Sequence, residues 1–175
     1  TIKKRFDSIS VDSTEENRRD YREMLFTAKD VGSYISGVIL FDETIRQDAA
    51  DGTPLVKLLE DQGIIPGIKV DLGAKPLAGA DGETVTEGLD GLRERLAEYH
   101  ALGARFAKWR ATYTITTPSS AEPALPSAYC IDVNAHALAR YAALCQEAGI
   151  VPIVEPEVLM DGEHTIDRSY EVTSA

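Results

Sequence analysis

The stretch GARFAKWRATY, residues 103–113, alternates like a β-strand but carries two cations in its middle. Because side chains two residues apart share one face of a strand, Lys108 and Arg110 face one way and Ala107 and Trp109 the other. Burying a cation costs several kcal/mol unless an anion meets it. The stretch therefore predicts a strand whose polar face meets carboxylates or an anionic ligand.

Apolar runs in the rest of the chain predict three further strands, with helices between them. The strands are expected within ISGVILF (35–41), IIPGIKVD (64–71) and IVPIVEPEVL (150–159). The first of these is almost wholly apolar, so it is expected to be buried on both faces. Helices are expected from a capping box at Ser13–Glu16 to about Lys29, within 52–63, 87–103 and 134–149, and starting at 167.

This alternation of strand and helix is typical of βαβ units and a parallel sheet. No glycine-rich phosphate fingerprint follows a strand, which favours a barrel over a dinucleotide-binding open sheet. A whole barrel needs about 250 residues, and only four strands are visible here. The sequence therefore predicts an α/β fold, a partial (β/α)₈ TIM barrel of about strands 2–5, as one incomplete domain over residues 1–175.

Composition excludes several classes of function. The formal net charge is −11, which disfavours a general nucleic-acid or membrane-surface binder. No apolar run approaches the roughly 20 residues of a membrane span. Two cysteines and three scattered histidines predict no metal site. The first residue is not Met, which suggests an internal start.

Charged pairs two residues apart lie toward the ends of three predicted strands. They are Lys69 with Asp71, Lys108 with Arg110, and Glu155 with Glu157. In parallel barrels this end of the strands carries the active site, so the pairs predict one shared polar site. Its cations, which Lys4 and Arg5 could join, favour an anionic small substrate such as a sugar phosphate. Asp71 could also simply pair with Lys69.

Longer motifs in the chain resemble one enzyme family. The segments GVILFDET, PLAGADGETVTEGLDGL, GARFAKWR and AGIVPIVEPEVL are similar to class I fructose-1,6-bisphosphate aldolase, the Schiff-base type that needs no metal or other cofactor. The resemblance extends over essentially all 175 residues. It implies a (β/α)₈ barrel, a homotetramer of the full-length protein, a cytoplasmic location, and a role in glycolysis and gluconeogenesis.

The resemblance also implies roles for individual residues. Lys108 is expected to stabilise charge and assist proton transfer, Glu155 to protonate the carbinolamine hydroxyl, and Glu157 to support the charge network. Residues expected to bind substrate hydroxyl and phosphate groups are Lys69, Arg110, Arg5 and Thr1, with Asp71 grouped beside them.

The reaction implied is reversible cleavage of fructose 1,6-bisphosphate to dihydroxyacetone phosphate and glyceraldehyde 3-phosphate. The family's Schiff-base lysine stands in an LKPN context that this sequence does not contain. We therefore expect an internal segment, inactive alone, that lacks the first strand and the last three strands. Alternatives are a non-catalytic barrel piece with a structural or binding role, or another sugar-phosphate barrel lyase. An enolase-type metal site is disfavoured, because AKWR offers cations where carboxylates are needed.

Overall fold

The computed structural model describes residues 2–117 and 124–175 of the chain. Its contacts divide the chain into two compact units. The first unit comprises Thr1–Lys69 and Glu98–Arg105, and the second comprises Val70–Ala97 and Phe106–Ala175. The expectation of one domain over residues 1–175 stays a prediction.

The first unit is built from short helices and two strands. In chain order these are α1 (Ile2–Asp7), α2 (Glu15–Phe26), a 3₁₀ turn (Val31–Ser33), β1 (Gly37–Leu40), α3 (Asp42–Ile45), α4 (Leu55–Glu60) and β2 (Ile65–Lys69). The second unit has β3 (Ala74–Pro76), β4 (Thr84–Thr86), β5 (Phe106–Tyr113), α6 (Ala128–Glu147), β6 (Val151–Val158) and α7 (Ile166–Ser174). Helix α5, Leu92–Ala101, runs along the chain from the second unit into the first.

The principal strands pair in parallel within each unit, as the sequence predicts. In the first unit β1 pairs with β2, with Gly37 opposite Ile65. In the second unit β5 pairs with β6, with Phe106 opposite Val151. Helices α3 and α4 connect the first pair and α6 connects the second, which gives two βαβ units. The α/β fold with parallel strands is therefore confirmed.

Strand β5 shows the two-residue alternation that its sequence predicts. Ala107, Trp109 and Ala111 are fully buried, whereas Lys108 and Arg110 are only half-buried. The indole of Trp109 packs on the Tyr141 ring of α6, with 5.4 Å between ring centroids. The apolar face of β5 thus belongs to the core, and its cationic face does not.

Three helices start close to their predicted positions but not at them. Helix α2 is capped by Thr14, whose hydroxyl accepts from the amide of Asn17, so the predicted cap at Ser13 is wrong by one residue. Helix α6 begins six residues earlier than predicted, because Ser127 accepts from the amide of Cys130 and caps it. Helix α5 begins at Leu92, several residues after its predicted start near 87.

The expectation that the first strand is buried on both faces is wrong for the unit described. Leu40 is 2% exposed, but Ile39 is 42% exposed. The reason is an open cleft of about 380 Å³, which Ile39 and Phe41 line together with side chains of α1 and α2. Among residues 2–117 and 124–175, no helix combines the length and apolarity needed to cross a bilayer.

A two-stranded antiparallel ribbon, β3–β4, was not predicted. Its register places Ala74 opposite Thr86 and Pro76 opposite Thr84. Each strand is three residues long, which is too short for a hydrophobic period to be visible. The ribbon lies in the second unit beside β5 and α6.

A carboxylate holds helix α2 to helix α3 in the first unit. Glu43 accepts from Arg18 through both oxygens, at 2.9 and 2.5 Å, and also from Arg22. These hydrogen bonds lower the pKa of Glu43 from 4.5 to about 2, with the bond from Arg18 as the largest cause. All three side chains are less than a third exposed, so solvent screens the network only partly.

Replacing this carboxylate tests the network. A lowered folded-state pKa contributes stability that is present above the ordinary pKa and is lost as pH falls through the folded one. We therefore expect Glu43→Gln to lower the free energy of unfolding by about 1–2 kcal/mol at pH 7 and by almost nothing near pH 2. Chemical denaturation between these pH values measures the difference. The exposed Glu163→Gln is the control, and an equal loss in both variants would contradict the assignment.

Candidate active site

Strands β5 and β6 bring four charged side chains together on one face. Lys108 and Arg110 are the third and fifth residues of the eight in β5, so the expectation that this pair lies toward the strand end is wrong, because β5 extends to Tyr113. Glu155 and Glu157 are the fifth and seventh residues of the eight in β6.

The parallel register sets Arg110 opposite Glu155 and Thr112 opposite Glu157. Paired residues of neighbouring strands present side chains on the same face, so the two cations and two carboxylates share one surface. We call Lys108, Arg110, Glu155 and Glu157 the charge cluster.

The first pair of the charge cluster joins Lys108 to Glu155. The Lys108 Nζ lies 2.8 Å from the Glu155 Oε2, a diagonal contact between the strands. Their side chains are 26% and 30% exposed, so the two ions are largely removed from water. At this depth each ion needs the other, because removing one partner would leave an uncompensated charge.

The second pair joins Arg110 to Glu157. The Arg110 Nε donates to the Glu157 Oε2. This bond lowers the pKa of Glu157 below its ordinary value, with Lys108 adding a weaker effect of the same sign. The same bond raises the pKa of Arg110, against an opposing effect of burial. Both side chains are about 40% exposed, so the pair is open to a ligand from solvent.

Asp71 supports β5 from the side away from β6. The residue is 7% exposed, and its Oδ2 accepts from the Arg110 amide at 3.3 Å. Its Oδ1 accepts from the Gly73 amide at 3.0 Å, which holds the carboxylate in place. The structure thus brings Asp71 to the main chain of Arg110, a contact that the sequence did not predict.

The remaining predicted site residues lie elsewhere along the chain. Lys69 is the last residue of β2, and Arg5 lies in α1, both in the first unit. Arg5 lines the cleft beside Ile39. Thr1 lies outside the described residues. The juxtaposition of the cations at 108 and 110 with the carboxylates at 155 and 157 is confirmed, whereas convergence with Lys69, Arg5 and Thr1 stays a prediction.

Two uncharged residues contact the site's framework and were missed. Thr86 of β4 donates its hydroxyl to the Arg110 carbonyl at 2.7 Å. Asn134 of α6 accepts from the Thr86 amide at 3.2 Å and is fully buried. The sequence held one signal for Asn134, since it falls on the same helical stripe as Leu138 and Tyr141. A polar side chain on such a stripe must find a hydrogen-bond partner.

Parallel strands joined by helices, with a charged cluster on one face, are typical of α/β enzymes, either (β/α)₈ barrels or open sheets. A solved structure agrees, namely fructose-bisphosphate aldolase from Plasmodium falciparum, crystallised with TRAP and a small-molecule inhibitor. It matches with a TM-score of 0.91 and 50% identity, over 99% of this chain and 49% of that one. The fold is therefore that of part of an aldolase barrel.

The family model for fructose-bisphosphate aldolase class-I matches residues 1–175, so the chain belongs to that family. A probable class 1 aldolase of Xanthomonas campestris pv. campestris is 63% identical over 175 residues, all of this chain and 51% of that protein. The cytoplasmic isozyme of Spinacia oleracea is 56% identical over 173 residues, 99% of this chain and 47% of that protein. The chain thus spans about half the length of these relatives, and the resemblance read from the motifs is confirmed.

The second pair can be tested by titration. Removing the guanidinium with Arg110→Gln should return the pKa of Glu157 upward toward its ordinary range, because the hydrogen bond that favours the carboxylate is lost. Carboxyl ¹³C chemical shifts followed against pH measure this directly. The matched control is Arg93→Gln, which removes the partner of Glu147 and should raise the pKa of Glu147 alone. A Glu157 titration that is unchanged by Arg110→Gln would contradict the pairing.

Proposed function

We propose that the protein to which this chain belongs cleaves fructose 1,6-bisphosphate reversibly to dihydroxyacetone phosphate and glyceraldehyde 3-phosphate. The observation that carries the proposal is the charge cluster. Two cations and two carboxylates meet on one face of β5 and β6, in a chain that belongs to the class-I aldolase family. The reaction uses a lysine Schiff base as the electron sink, with no metal or other cofactor, and that lysine is not among these 175 residues.

Lys108 and Glu155 are the proposed proton-transfer pair. Dehydration of a carbinolamine needs a proton on the departing hydroxyl, and Glu155 is the proposed donor. The 2.8 Å between Lys108 Nζ and Glu155 Oε2 supports the assignment, because it places both groups at one point of the charge cluster, where they can act on the same reacting atoms. The ammonium of Lys108 also stabilises negative charge that develops on the reacting carbons and oxygens.

Arg110 and Glu157 are the proposed substrate-positioning pair. A guanidinium offers five N–H donors in a planar fork that suits phosphate and hydroxyl oxygens, and the Nε of Arg110 already donates to Glu157. That bond orients the fork before a ligand arrives. Lys69, Arg5 and Thr1 are proposed to add contacts to phosphate and hydroxyl groups, and Asp71 to hold the main chain beside them.

The charge distribution supports a small anionic substrate. The chain carries a net charge of −11, which repels nucleic acid and anionic membrane surfaces, so neither is a proposed partner. A cluster of cations within such a chain attracts a small phosphorylated ligand. By analogy with the cytoplasmic isozyme of Spinacia oleracea, we propose that the protein is cytoplasmic. As membership of the aldolase family implies, we also propose that the complete protein acts in glycolysis and gluconeogenesis as a homotetramer.

Substitution of Lys108 tests the proposed chemistry. In the complete polypeptide that contains this chain, Lys108→Met should lower kcat at least about 100-fold, the usual size of a lost acid–base group. A coupled assay of fructose 1,6-bisphosphate cleavage measures it. The control is Lys75→Met, on the exposed strand β3, which should stay within twofold of wild type. A Lys108→Met variant with more than a third of wild-type kcat would contradict the role.

Borohydride trapping separates the proposal from its alternatives. With dihydroxyacetone phosphate present, the complete polypeptide should be labelled on a lysine and the isolated 175-residue chain should not. No labelling of the complete polypeptide would favour a structural or binding role. Labelling of the isolated chain would contradict the claim that the Schiff-base lysine lies outside residues 1–175.

A further inference from the structure

The main chain of β5 changes its hydrogen-bond partners at Arg110. In a parallel strand the amide and carbonyl of one residue point to the same neighbour, and the next residue points to the other side. The Lys108 carbonyl accepts from the amide of Val70, at 3.1 Å. Arg110 lies two residues further along and points its amide and carbonyl to the same side as Lys108.

Side chains take the place of a neighbouring strand at Arg110. Its amide donates to the Asp71 carboxylate at 3.3 Å, and its carbonyl accepts from the Thr86 hydroxyl at 2.7 Å. Two residues further on, the Thr84 hydroxyl lies 3.3 Å from the Thr112 carbonyl and 3.0 Å from its hydroxyl. The threonines of β4 thus follow β5 with the same two-residue period.

Asn134 fixes β4 to helix α6. Its Oδ1 accepts from the Thr86 amide at 3.2 Å, and its Nδ2 donates to the Thr84 carbonyl at 2.9 Å. The Nδ2 also donates to the Cys130 carbonyl of α6 at 3.0 Å. Asn134 is fully buried and Thr86 is 3% exposed, so water does not compete for these bonds.

We propose that Thr86 is a positioning residue for Arg110, and that Asn134 holds Thr86 in place. The hydroxyl of Thr86 fixes the peptide from which the Arg110 side chain extends. The orientation of the guanidinium toward Glu157, and toward a phosphorylated substrate, therefore depends on Thr86, which bonds to the main chain of Arg110 and not to its side chain. This inference rests on the proposed function, because the substrate is the ligand that Arg110 is proposed to hold.

The test uses the complete polypeptide and the isosteric variant Thr86→Val, which removes the hydroxyl and keeps the shape. We expect KM for fructose 1,6-bisphosphate to rise about fivefold and kcat to stay within twofold. Fivefold corresponds to about 1 kcal/mol, the worth of one hydrogen bond, at 1.4 kcal/mol per tenfold change. Thr86→Ser restores the hydroxyl and should restore KM to within twofold of wild type.

Two controls separate positioning from a general loss of structure. Thr84→Val removes a hydroxyl from the same strand that bonds to Thr112 rather than to Arg110, and it should leave KM unchanged. In an Arg110→Ala background, Thr86→Val should raise KM no further, because the side chain it positions is gone. An equal rise with Thr84→Val, or a fivefold rise that persists without Arg110, would overturn the inference.

Amide hydrogen exchange of Arg110 tests the positioning role even if the protein does not cleave fructose 1,6-bisphosphate. An inactive wild-type protein would contradict the proposed function but not the positioning role of Thr86. Thr86→Val should then still speed exchange of the Arg110 amide at least fivefold, while Thr84→Val leaves it unchanged; equal exchange in both variants would overturn the positioning role. If Thr86→Val does not fold, Thr86→Ala, which removes the hydroxyl together with the γ-methyl group, replaces it with the same expected outcomes.

Discussion

Neutralisation of two cations on one face of β5 is the constraint on which the rest of the second unit depends. Lys108 and Arg110 cannot be removed from water without anions, because an unpaired buried charge costs several kcal/mol. Their carboxylates come from β6, so β6 has to lie parallel to β5 in a register that places Glu155 and Glu157 beside them on the same face. The opposite face of β5 buries Trp109 against α6. The helix between the strands thus packs on one face, and the charges meet on the other.

The ribbon β3–β4 supports β5 at Arg110, where no neighbouring strand among the described residues supplies main-chain hydrogen-bond partners on that side. Asp71 and Thr86 provide side-chain partners for the amide and carbonyl of Arg110. Asn134, buried within the apolar stripe of α6, joins the ribbon to the helix that covers the apolar face. Buried polar groups of this kind are costly unless all are satisfied, and here their bonds fix one position of the strand end. A site that must present charges to a ligand benefits from such a fixed frame.

The sequence predicts the parts of this structure that depend on periodicity and charge. The alternation of β5 predicted the strand, and the charged pairs of β5 and β6 together predicted its carboxylate partners, because parallel strands leave few other places for those charges. It did not predict β3–β4, since three-residue strands show no period. Nor did it predict the Thr86 contact, because its acceptor is a main-chain carbonyl, which every residue has and which the sequence therefore cannot indicate. The choice between Ser13 and Thr14 as helix cap failed for a similar reason, as both hydroxyls suit the same role.

The central claim is that Lys108 and Glu155 neutralise each other in a partly dehydrated site, and a double-mutant cycle in unfolding free energy tests it most directly. Lys108→Met and Glu155→Gln are measured singly and together by chemical denaturation of the complete polypeptide at pH 7. Each single change should leave a charge without its partner, so the double variant should be at least about 1 kcal/mol more stable than the sum of the two losses predicts. Losses that add to within about 0.3 kcal/mol would show that the two charges do not interact, and would contradict the account.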